Sequence, residues 1–485
     1  MNILEKLKDL GFKTIPSEYY EQGVDVWGSW YVGKVNSFHQ YRVYNGKKQV
    51  KMERYSCGMA KKVSEDWANL LMNEKVHIKL EGKEEQKFFD EVCVENNFTV
   101  KASEMQEKKA ALGTCAYVFT VTGVTVNEET GDVTGAGDNI KIDYVAGRSI
   151  IPLSWDNGII TECAFAVEKM VKGENYVYVQ IHHLNDSGLY DIENVLYKKN
   201  NENLSDIDLK DVEGFEHVPK TVHTGSEKRQ FVIDRMNIAN NTTQNDNPLG
   251  VSVYANAIDQ LKAVDLVYDS YVNEFSLGKK RIMVKPSAAE SIDGEPAFDS
   301  NDVCFYMMPE DAKDESMIHE INMNLRTQEF NTGMQDALNL LSSKCGFGEN
   351  HYRFDRGNIQ TATQVISENS TLFRTIKKHE IILEHALKEI ARIVIRLGNT
   401  YLGMSMDEDV KISVDFDDSI IEDKATDFDR DCRLIALGIM SKTEFRAKWM
   451  NEDMKTAKKA IEDIRKDILE EESRMIQDDT GADEM

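Results

Sequence analysis

"RGNIQTATQVISENSTLFRTIKKHEIILEHALKEIARIVIRLGN" spans residues 356–399, and this stretch decides how the rest of the chain can be arranged. It holds no proline and no glycine between Gly357 and Gly398, and its apolar side chains recur at helical spacing. Thr361 and Gln364 match the capping box that begins a helix, and Gly398 is of the type that ends one. The pattern predicts a helix about 55 Å long. Charged residues interrupt the apolar stripe throughout, which favours a strut within a protein over a membrane span.

The composition indicates a folded globular chain of about two to four domains. The chain has 485 residues, of which 41% are hydrophobic and 29% are charged. Its net charge of -26 repels phosphate, so we do not expect it to coat nucleic acid or anionic lipid. Two interpretations of this charge remain open. It serves solubility alone, or it forms an acidic wall along which a polyanion moves without sticking.

The cysteines and the N-terminus bear on the compartment. The chain has 7 cysteines and no C-x-x-C motif, which predicts free thiols in a reducing compartment, without a disulfide framework or a zinc site. The opening sequence MNILEKLKDLGFKT lacks an apolar core, and no run of about 18 apolar residues follows. We therefore expect neither a signal peptide nor a membrane span.

The spacing of apolar residues changes along the chain. Residues 1–110 are predicted to be mainly helical, and residues 113–235 alternate with the period of antiparallel strands, with Asn157-Gly158 as a hairpin turn. A helix is predicted over residues 252–277, capped by Ser252 and closed by Gly278. A non-helical insert over 281–323 is predicted next, with RIMVKP and VCFYMM as its strands, and a helix over 325–344 follows it. A glycine-bounded loop over 346–357 then leads into the long helix. After the long helix we predict a strand, VKISVDF, and two or three C-terminal helices, one of them capped by Ser441 with Glu444.

Candidate catalytic patterns are weak. His379 and His385 lie six residues apart, about 240° around a helix, so they cannot share one zinc ion and are expected at the surface or at an interface. Asp415, Asp417 and Asp418 cluster at a strand end, which indicates either a divalent-cation site or a solvated turn.

Two groups of cations are candidate contact sites. Lys279, Lys280 and Arg281 follow a helix end, where they either compensate the helix dipole or contact phosphate at a narrow opening. The glycine-bounded loop mixes cations with aromatic rings, the residue types that touch nucleic acid, although a loop of this size between helices also packs on neighbours. The candidate residues in this loop are His351, Tyr352, Arg353, Phe354, Arg356 and Asn358.

The order of elements resembles that of the portal protein of tailed double-stranded DNA phages, specifically the siphophage-type portal family. The resemblance runs from about residue 55 to 470, departs in the insert after residue 279 and in the tail, and rests on the order of several moderately specific stretches. These stretches are GMAKKVSEDWANLLMNEKVHI, ENNFTVKASEMQEKKAALGTCAYVF, NPLGVSVYANAIDQLKAVDLVYDSYVNEF, TATQVISENSTLFRTIKKHEIILEHAL and VKISVDFDDSIIEDKATDFDRDCRLIALGIMSKTEF.

The resemblance implies an α+β portal fold in which the long helix is a strut of the wing. Two stem helices would line a channel, and His351 to Asn358 would lie in a tunnel loop that narrows it. Lys279, Lys280 and Arg281 would lie at the channel mouth, where stem meets clip. The implied domains are a wing over 1–250, stem helix 1 over 251–278, a clip over 279–323, stem helix 2 over 324–345, a tunnel loop over 346–358, the wing's long helix and closing strand over 359–425, and a crown with an acidic tail over 426–485.

The same resemblance implies a structural function. The chain would form a ring, usually of twelve copies, at one capsid vertex of the virion, assembled in the host cytoplasm. Its partners would be other copies, double-stranded DNA in transit, the terminase large subunit, the head-completion adaptor, and the major capsid or scaffolding protein, with no membrane. No catalytic residue, metal or cofactor is expected, because the terminase hydrolyses ATP. Two alternatives remain: a metal-dependent hydrolase or nuclease using Asp415, Asp417 and Asp418, and a monomeric minor head protein.

Overall fold

Helices and strands share the chain: about 44% of it is helical and 26% is strand, and the predicted α+β class is confirmed at this level. The chain forms two compact units, Met1–Phe416 and Asp417–Met485. The computed structural model describes residues 3–73, 76–201, 203–242, 246–285, 305–307, 318–321, 323–353, 362–416, 424–450 and 452–466.

The first 112 residues are mainly helical, as predicted. Within α4, Val63, Trp67 and Leu71 are buried at the spacing that the sequence indicated. Two short strands, β1 and β2, form a hairpin that sequence reasoning missed, because the alternation of apolar and polar residues spans only Tyr41 to Val43 and Val50 to Met52. The elements of this segment are α1 (Ile3–Asp9), α2 (Asp25–Val32), α3 (Asn36–His39), β1 (Gln40–Tyr44), β2 (Gln49–Glu53), α4 (Met59–Leu71), β3 (His77–Leu80), α5 (Lys83–Glu95) and α6 (Phe98–Leu112).

The middle of the first unit is the predicted antiparallel β region. Its strands are β4 (Thr114–Thr122), β5 (Asn139–Ala146), β6 (Ile150–Asp156), β7 (Ile159–Val171), β8 (Glu174–Leu184), β9 (Tyr190–Asn200), β10 (Asn203–Ile207), β11 (Thr221–His223) and β12 (Phe231–Arg235). They form a sheet of order β10-β9-β8-β7-β6, with β11 also on β9, and a sheet of order β12-β4-β5. The predicted Asn157-Gly158 turn is confirmed, since φ is 49° at Asn157 and 75° at Gly158, as a type I′ hairpin requires.

Two helices, α7 (Ile258–Leu277) and α8 (Thr327–Lys344), flank the predicted insert and pack on each other. The predicted cap of α7 is wrong: the helix begins at Ile258, after a 3-10 turn over Ala255–Ala257. The Ser252 hydroxyl instead donates to the Ala110 carbonyl at 3.2 Å, because the chain here is still bonded to the end of α6.

The described residues of the insert, 279–285, 305–307, 318–321 and 323, include three short strands, β13 (Arg281–Val284), β14 (Phe305–Met307) and β15 (Ile318–Ile321). Both predicted strands are present, and β15 is an addition. The central strand β13 pairs in parallel with β14 and antiparallel with β15.

The long helix is α9 (Ala362–Tyr401), and it packs on β12, α5 and the strand that follows it. The predicted stop at Gly398 is wrong, since the helix continues for three more residues. Gly398 serves close packing: a Cβ there would lie 2.7 Å from Phe88 Cε1 and 2.8 Å from Met406 Cε. Gly403, with φ of 69°, is the left-handed residue after the helix. Thr361, the predicted cap, lies outside the described residues.

The predicted strand after α9 is confirmed as β16 (Ile412–Asp415), which pairs antiparallel with β3. This pairing joins residues more than 330 positions apart and closes the first unit.

The second unit contains α10 (Lys424–Ala436), α11 (Lys442–Met450) and a helix over 454–466. The predicted capping box is confirmed: Ser441 N–H donates to Glu444 Oε2 at 2.8 Å, and Glu444 N–H donates to Ser441 Oγ at 3.1 Å. The Asp431 carboxylate, 2% exposed, accepts from Lys448 Nζ at 2.6 Å and Trp449 Nε1 at 3.2 Å, which joins α10 to α11.

Candidate functional site

An ion pair joins α7 to α8 where the insert leaves the two helices. Arg326 Nε lies 3.1 Å from Glu274 Oε1, and Arg326 Nη2 lies 2.8 Å from Glu274 Oε2. This two-pronged contact with the guanidinium holds the pKa of the Glu274 carboxyl below its usual value. Tyr271 packs edge-on against Phe275 and Phe330 beside it. The pair and the rings fix the distance between the two helices at the base of the insert.

The three cations after α7 have different surroundings. Lys279 is exposed and makes no ion pair with the described residues. Lys280 Nζ lies 2.5 Å from Glu320 Oε1 on β15. The Arg281 guanidinium lies 5.9 Å from the centre of the Tyr306 ring on β14. Two of the three cations therefore bind within the insert itself, and Lys279 is the one of the three that has neither an ion pair nor a ring contact with a described residue.

The glycine-bounded loop is anchored on α4 through its aromatic residues. The Tyr352 side chain is buried, and its hydroxyl donates to Asp66 Oδ2 at 3.0 Å. Burial, together with the neighbouring Asp66 charge, raises the pKa of Tyr352 far above its usual value. His351 stacks on Phe347 with ring centres 4.4 Å apart, and Phe347 in turn packs on Trp67. Partial burial lowers the pKa of His351.

Of the six candidate loop residues, three can be placed. Tyr352 is an anchor, whereas His351 and Arg353 are exposed at the surface of the loop. Arg353 Nε donates to the Asn350 carbonyl at 3.3 Å. The other three, Phe354, Arg356 and Asn358, lie outside the described residues.

Sequence reasoning missed two buried carboxylates on α7. Asp265 and Asp269 are only 3% and 5% exposed. Asp265 accepts from Cys57 N–H at 2.7 Å and lies 3.0 Å from His39 Nε2, and Asp269 accepts from Tyr55 N–H at 3.1 Å. The signal was available: two acids one helical turn apart interrupt the apolar stripe of α7. They attach the segment that follows the β1–β2 hairpin to α7.

The family comparison matches nearly the whole chain. The family model described as "Phage portal protein, SPP1 Gp6-like" matches residues 20–474 of 485. The chain belongs to this phage portal protein family. The family is structural, and its members act as bacteriophage portals. A search of curated proteins found no match.

In this member of the portal family, the predicted position of one of the two histidines needs correction. His379 is not a surface residue: it is 3% exposed, packs edge-on against Trp67, and its Nδ1 accepts from Asn237 N–H at 3.2 Å. Desolvation lowers the pKa of His379 to about 3, so the ring is neutral at physiological pH. His385 is 77% exposed, and the two side chains do not come together.

Of the three carboxylates that the sequence offered for a metal site, one lies within the described residues. Asp415 Oδ2 lies 2.5 Å from Lys79 Nζ across the β16–β3 pair. Asp417 and Asp418 lie outside the described residues. Among the residues that the structure describes, no three His, Cys, Asp or Glu side chains are grouped so as to hold a metal ion. Within the same residues, no helix has the length and apolar character of a membrane span.

Proposed function

We propose that the chain forms a ring of twelve copies at one vertex of the phage capsid, through which double-stranded DNA is packaged and later ejected. The observation that carries this proposal is the match of the portal family over residues 20–474. Rings of identical subunits need a heterologous interface that closes on itself, and this places the main requirement on packing and not on catalysis. A net charge of -26 suits a channel that DNA crosses without tight binding.

The proposed division of the chain follows the described elements. Helices α7 and α8, joined by the Glu274–Arg326 pair, serve as the two stem helices, and the three-stranded insert between them is the clip. The helix α9 is the strut of the wing, whose β region holds β4 to β12. Residues 426–485, within the second unit, are the crown with its acidic tail. Residues 346–358 form the tunnel loop, fixed at its described end by Tyr352 and Asp66.

The partners follow from these assignments. The clip, with Lys279 exposed, docks first the terminase large subunit and later the head-completion adaptor. His351 and Arg353 are the described residues of the tunnel loop that face DNA, since Tyr352 is buried. The outer surface of the wing contacts the major capsid or scaffolding protein. The ring assembles in the host cytoplasm and stays in the virion.

Electron microscopy and native mass spectrometry of the purified chain test the proposal. We expect ring-shaped particles with a central hole and a mass of about 660 kDa for twelve copies of the 55.3 kDa chain. A chain that stays a 55.3 kDa monomer at every concentration contradicts the proposal and favours a minor head protein. Another closed ring number would change only the copy number.

A further inference from the structure

The β1–β2 hairpin, residues 40–53, concentrates positive charge in an acidic chain. Between Gln40 and Arg54 there are five cations and a single acid, Glu53. Arg54 is used locally, since its guanidinium lies over the Phe38 and Tyr41 rings. The other four, Arg42, Lys47, Lys48 and Lys51, are exposed and make no ion pair with any described residue.

This lack of partners contrasts with other surface cations of the chain. Lys198 on β9 lies 2.6 Å from a Glu174 oxygen, and Lys262 on α7 lies 2.9 Å from an Asp259 oxygen. In the hairpin, Arg42 stands directly across from Lys51 in the register of the two strands. Like charges in this position are destabilising unless an anion lies between or beside them. The hairpin therefore carries a local cost that an anionic partner would remove.

The opposite face of the same hairpin is apolar. Residues paired across antiparallel strands share a face, so Tyr41 with Met52 and Val43 with Val50 form one patch, away from Arg42 and Lys51. Val43 is 45% exposed and Met52 is 40% exposed. A two-stranded hairpin is marginally stable alone, and an uncovered apolar face adds to the reason for a partner.

The two faces together select the kind of partner. DNA phosphate would neutralise the cations but would leave the apolar face in water. A protein surface that combines apolar side chains with carboxylates satisfies both faces. The chain itself carries such a surface: a shallow groove of about 670 Å³ along α5 exposes 80% of Val94 and is lined by Glu81, Asp90, Glu91 and Glu95 against Lys83 and Lys87.

We propose that the β1–β2 hairpin is an intersubunit arm that docks on a second copy of this chain. Its apolar face packs against that copy, and its four unpaired cations lie against that copy's carboxylates. The buried hydrogen bonds of Asp265 and Asp269 to residues 55–57 attach the C-terminal end of the hairpin to α7. This end is therefore already ordered in the single chain, which lowers the entropy cost of docking. This inference rests on the proposed ring and names one of its contacts.

Matched variants test the arm in the full-length chain. Val43→Asp places a charge on the apolar face, and a triple change of Lys47, Lys48 and Lys51 to Glu reverses the charge of three of the four unpaired cations. Met170→Asp is the control, because Met170 is 74% exposed on a different strand, β7. We expect both hairpin variants to lower the association constant between copies by about tenfold or more, while the control assembles like the wild type. Circular dichroism and thermal unfolding check that each variant folds.

A photo-crosslinking amino acid in place of Val43 gives a second readout. Cross-links between copies, mapped by mass spectrometry, support the arm, and cross-links confined to one chain overturn it. Rings that form unchanged in both hairpin variants also overturn the arm and leave the proposed ring intact. If the charge-reversed variant assembles normally but loses affinity for a duplex of about 30 base pairs, the hairpin contacts DNA and the inference is wrong. A wild-type chain that never assembles contradicts the ring and the arm together.

Discussion

The buried ion pair of Lys109 with Asp234 joins α6 to β12 inside the first unit. Lys109 Nζ lies 3.0 Å from Asp234 Oδ2, and the two side chains are 1% and 0% exposed. Gln106 Nε2 donates to the same oxygen at 2.8 Å. Each of the two buried charges is stabilised by the other, because neither is in contact with water. Removing one of them therefore leaves a buried charge without a partner, which lowers the free energy of unfolding.

We predict that Lys109→Met destabilises the fold by about 3–5 kcal/mol, because it leaves the Asp234 carboxylate buried without a counter-charge. The double variant Lys109→Met with Asp234→Asn should recover part of this loss, since the uncompensated charge is gone. Chemical denaturation of the three proteins measures both values. A loss below about 1 kcal/mol in the single variant would mean that water or another cation reaches Asp234.

His379 should make stability depend on pH. Its pKa falls from 6.5 in the unfolded chain to about 3 in the fold, so the unfolded state binds the proton more readily. The stabilisation is complete above pH 6.5 and is lost as the pH falls towards 3. We expect this group to remove about 2 kcal/mol between pH 7.5 and pH 5. His379→Gln should flatten the profile over this interval, and an unchanged slope in urea titrations would contradict the assignment.

Gly398 shows how a glycine can be read wrongly from sequence. It stands one turn before the end of α9, where a helix stop is expected, yet its backbone is helical and its missing Cβ makes room for Phe88 and Met406. The physical requirement is set by α5 and by the turn after α9, which are distant in sequence. A local pattern contains no such information.

We predict that Gly398→Ala destabilises the first unit by about 1–3 kcal/mol through overpacking, although alanine has the higher helix propensity. Phe88→Leu in the same chain should reverse part of the loss, since a smaller side chain leaves space for the new Cβ. Thermal unfolding of the single and double variants measures the coupling. Additive effects would show that Phe88 is not what the Cβ meets.

The elements with strong periodicity were predictable, and those fixed by distant contacts were not. The stripes of α4 and α9, the Asn157-Gly158 turn and the Ser441–Glu444 cap follow from neighbours in sequence, and they were predicted, whereas the C-terminal end of α9 was placed too early. The strand β15 lacks a clear alternation of apolar residues. In β1 and β2 the alternation is present but short, with Tyr41 and Val43 in one strand and Val50 and Met52 in the other. The cations Lys279 to Arg281 were found as a group, but Glu320 and Tyr306, which hold two of them, could not be assigned from sequence.

Charge at the level of the whole molecule gives the proposed clip a specific role. The net charge of -26 repels DNA on average, so an exposed cation without a partner has a large local effect on a passing polyanion or on the acidic groups of a docking partner. Lys279 is such a cation within the described part of the insert after α7, whereas Lys280 is held by Glu320. Their neighbouring positions allow a direct comparison of free and paired charge.

We predict that Lys279→Ala weakens DNA packaging or terminase docking more than Lys280→Ala does. Each lost phosphate contact should lower the slope of log affinity against log salt by about 0.9. Both lysines are exposed, but Lys280 is paired with Glu320, so Lys279 is the freer of the two to make such a contact. Folding should survive, because a cation at a helix end contributes about 0.3–1 kcal/mol. The control is Lys262→Ala on α7, whose lysine is paired with Asp259 at 2.9 Å. Packaging efficiency is measured for each variant over a salt series. If Lys279→Ala and Lys262→Ala show the same efficiency and the same salt dependence, Lys279 only compensates the helix dipole and contacts neither DNA nor the motor.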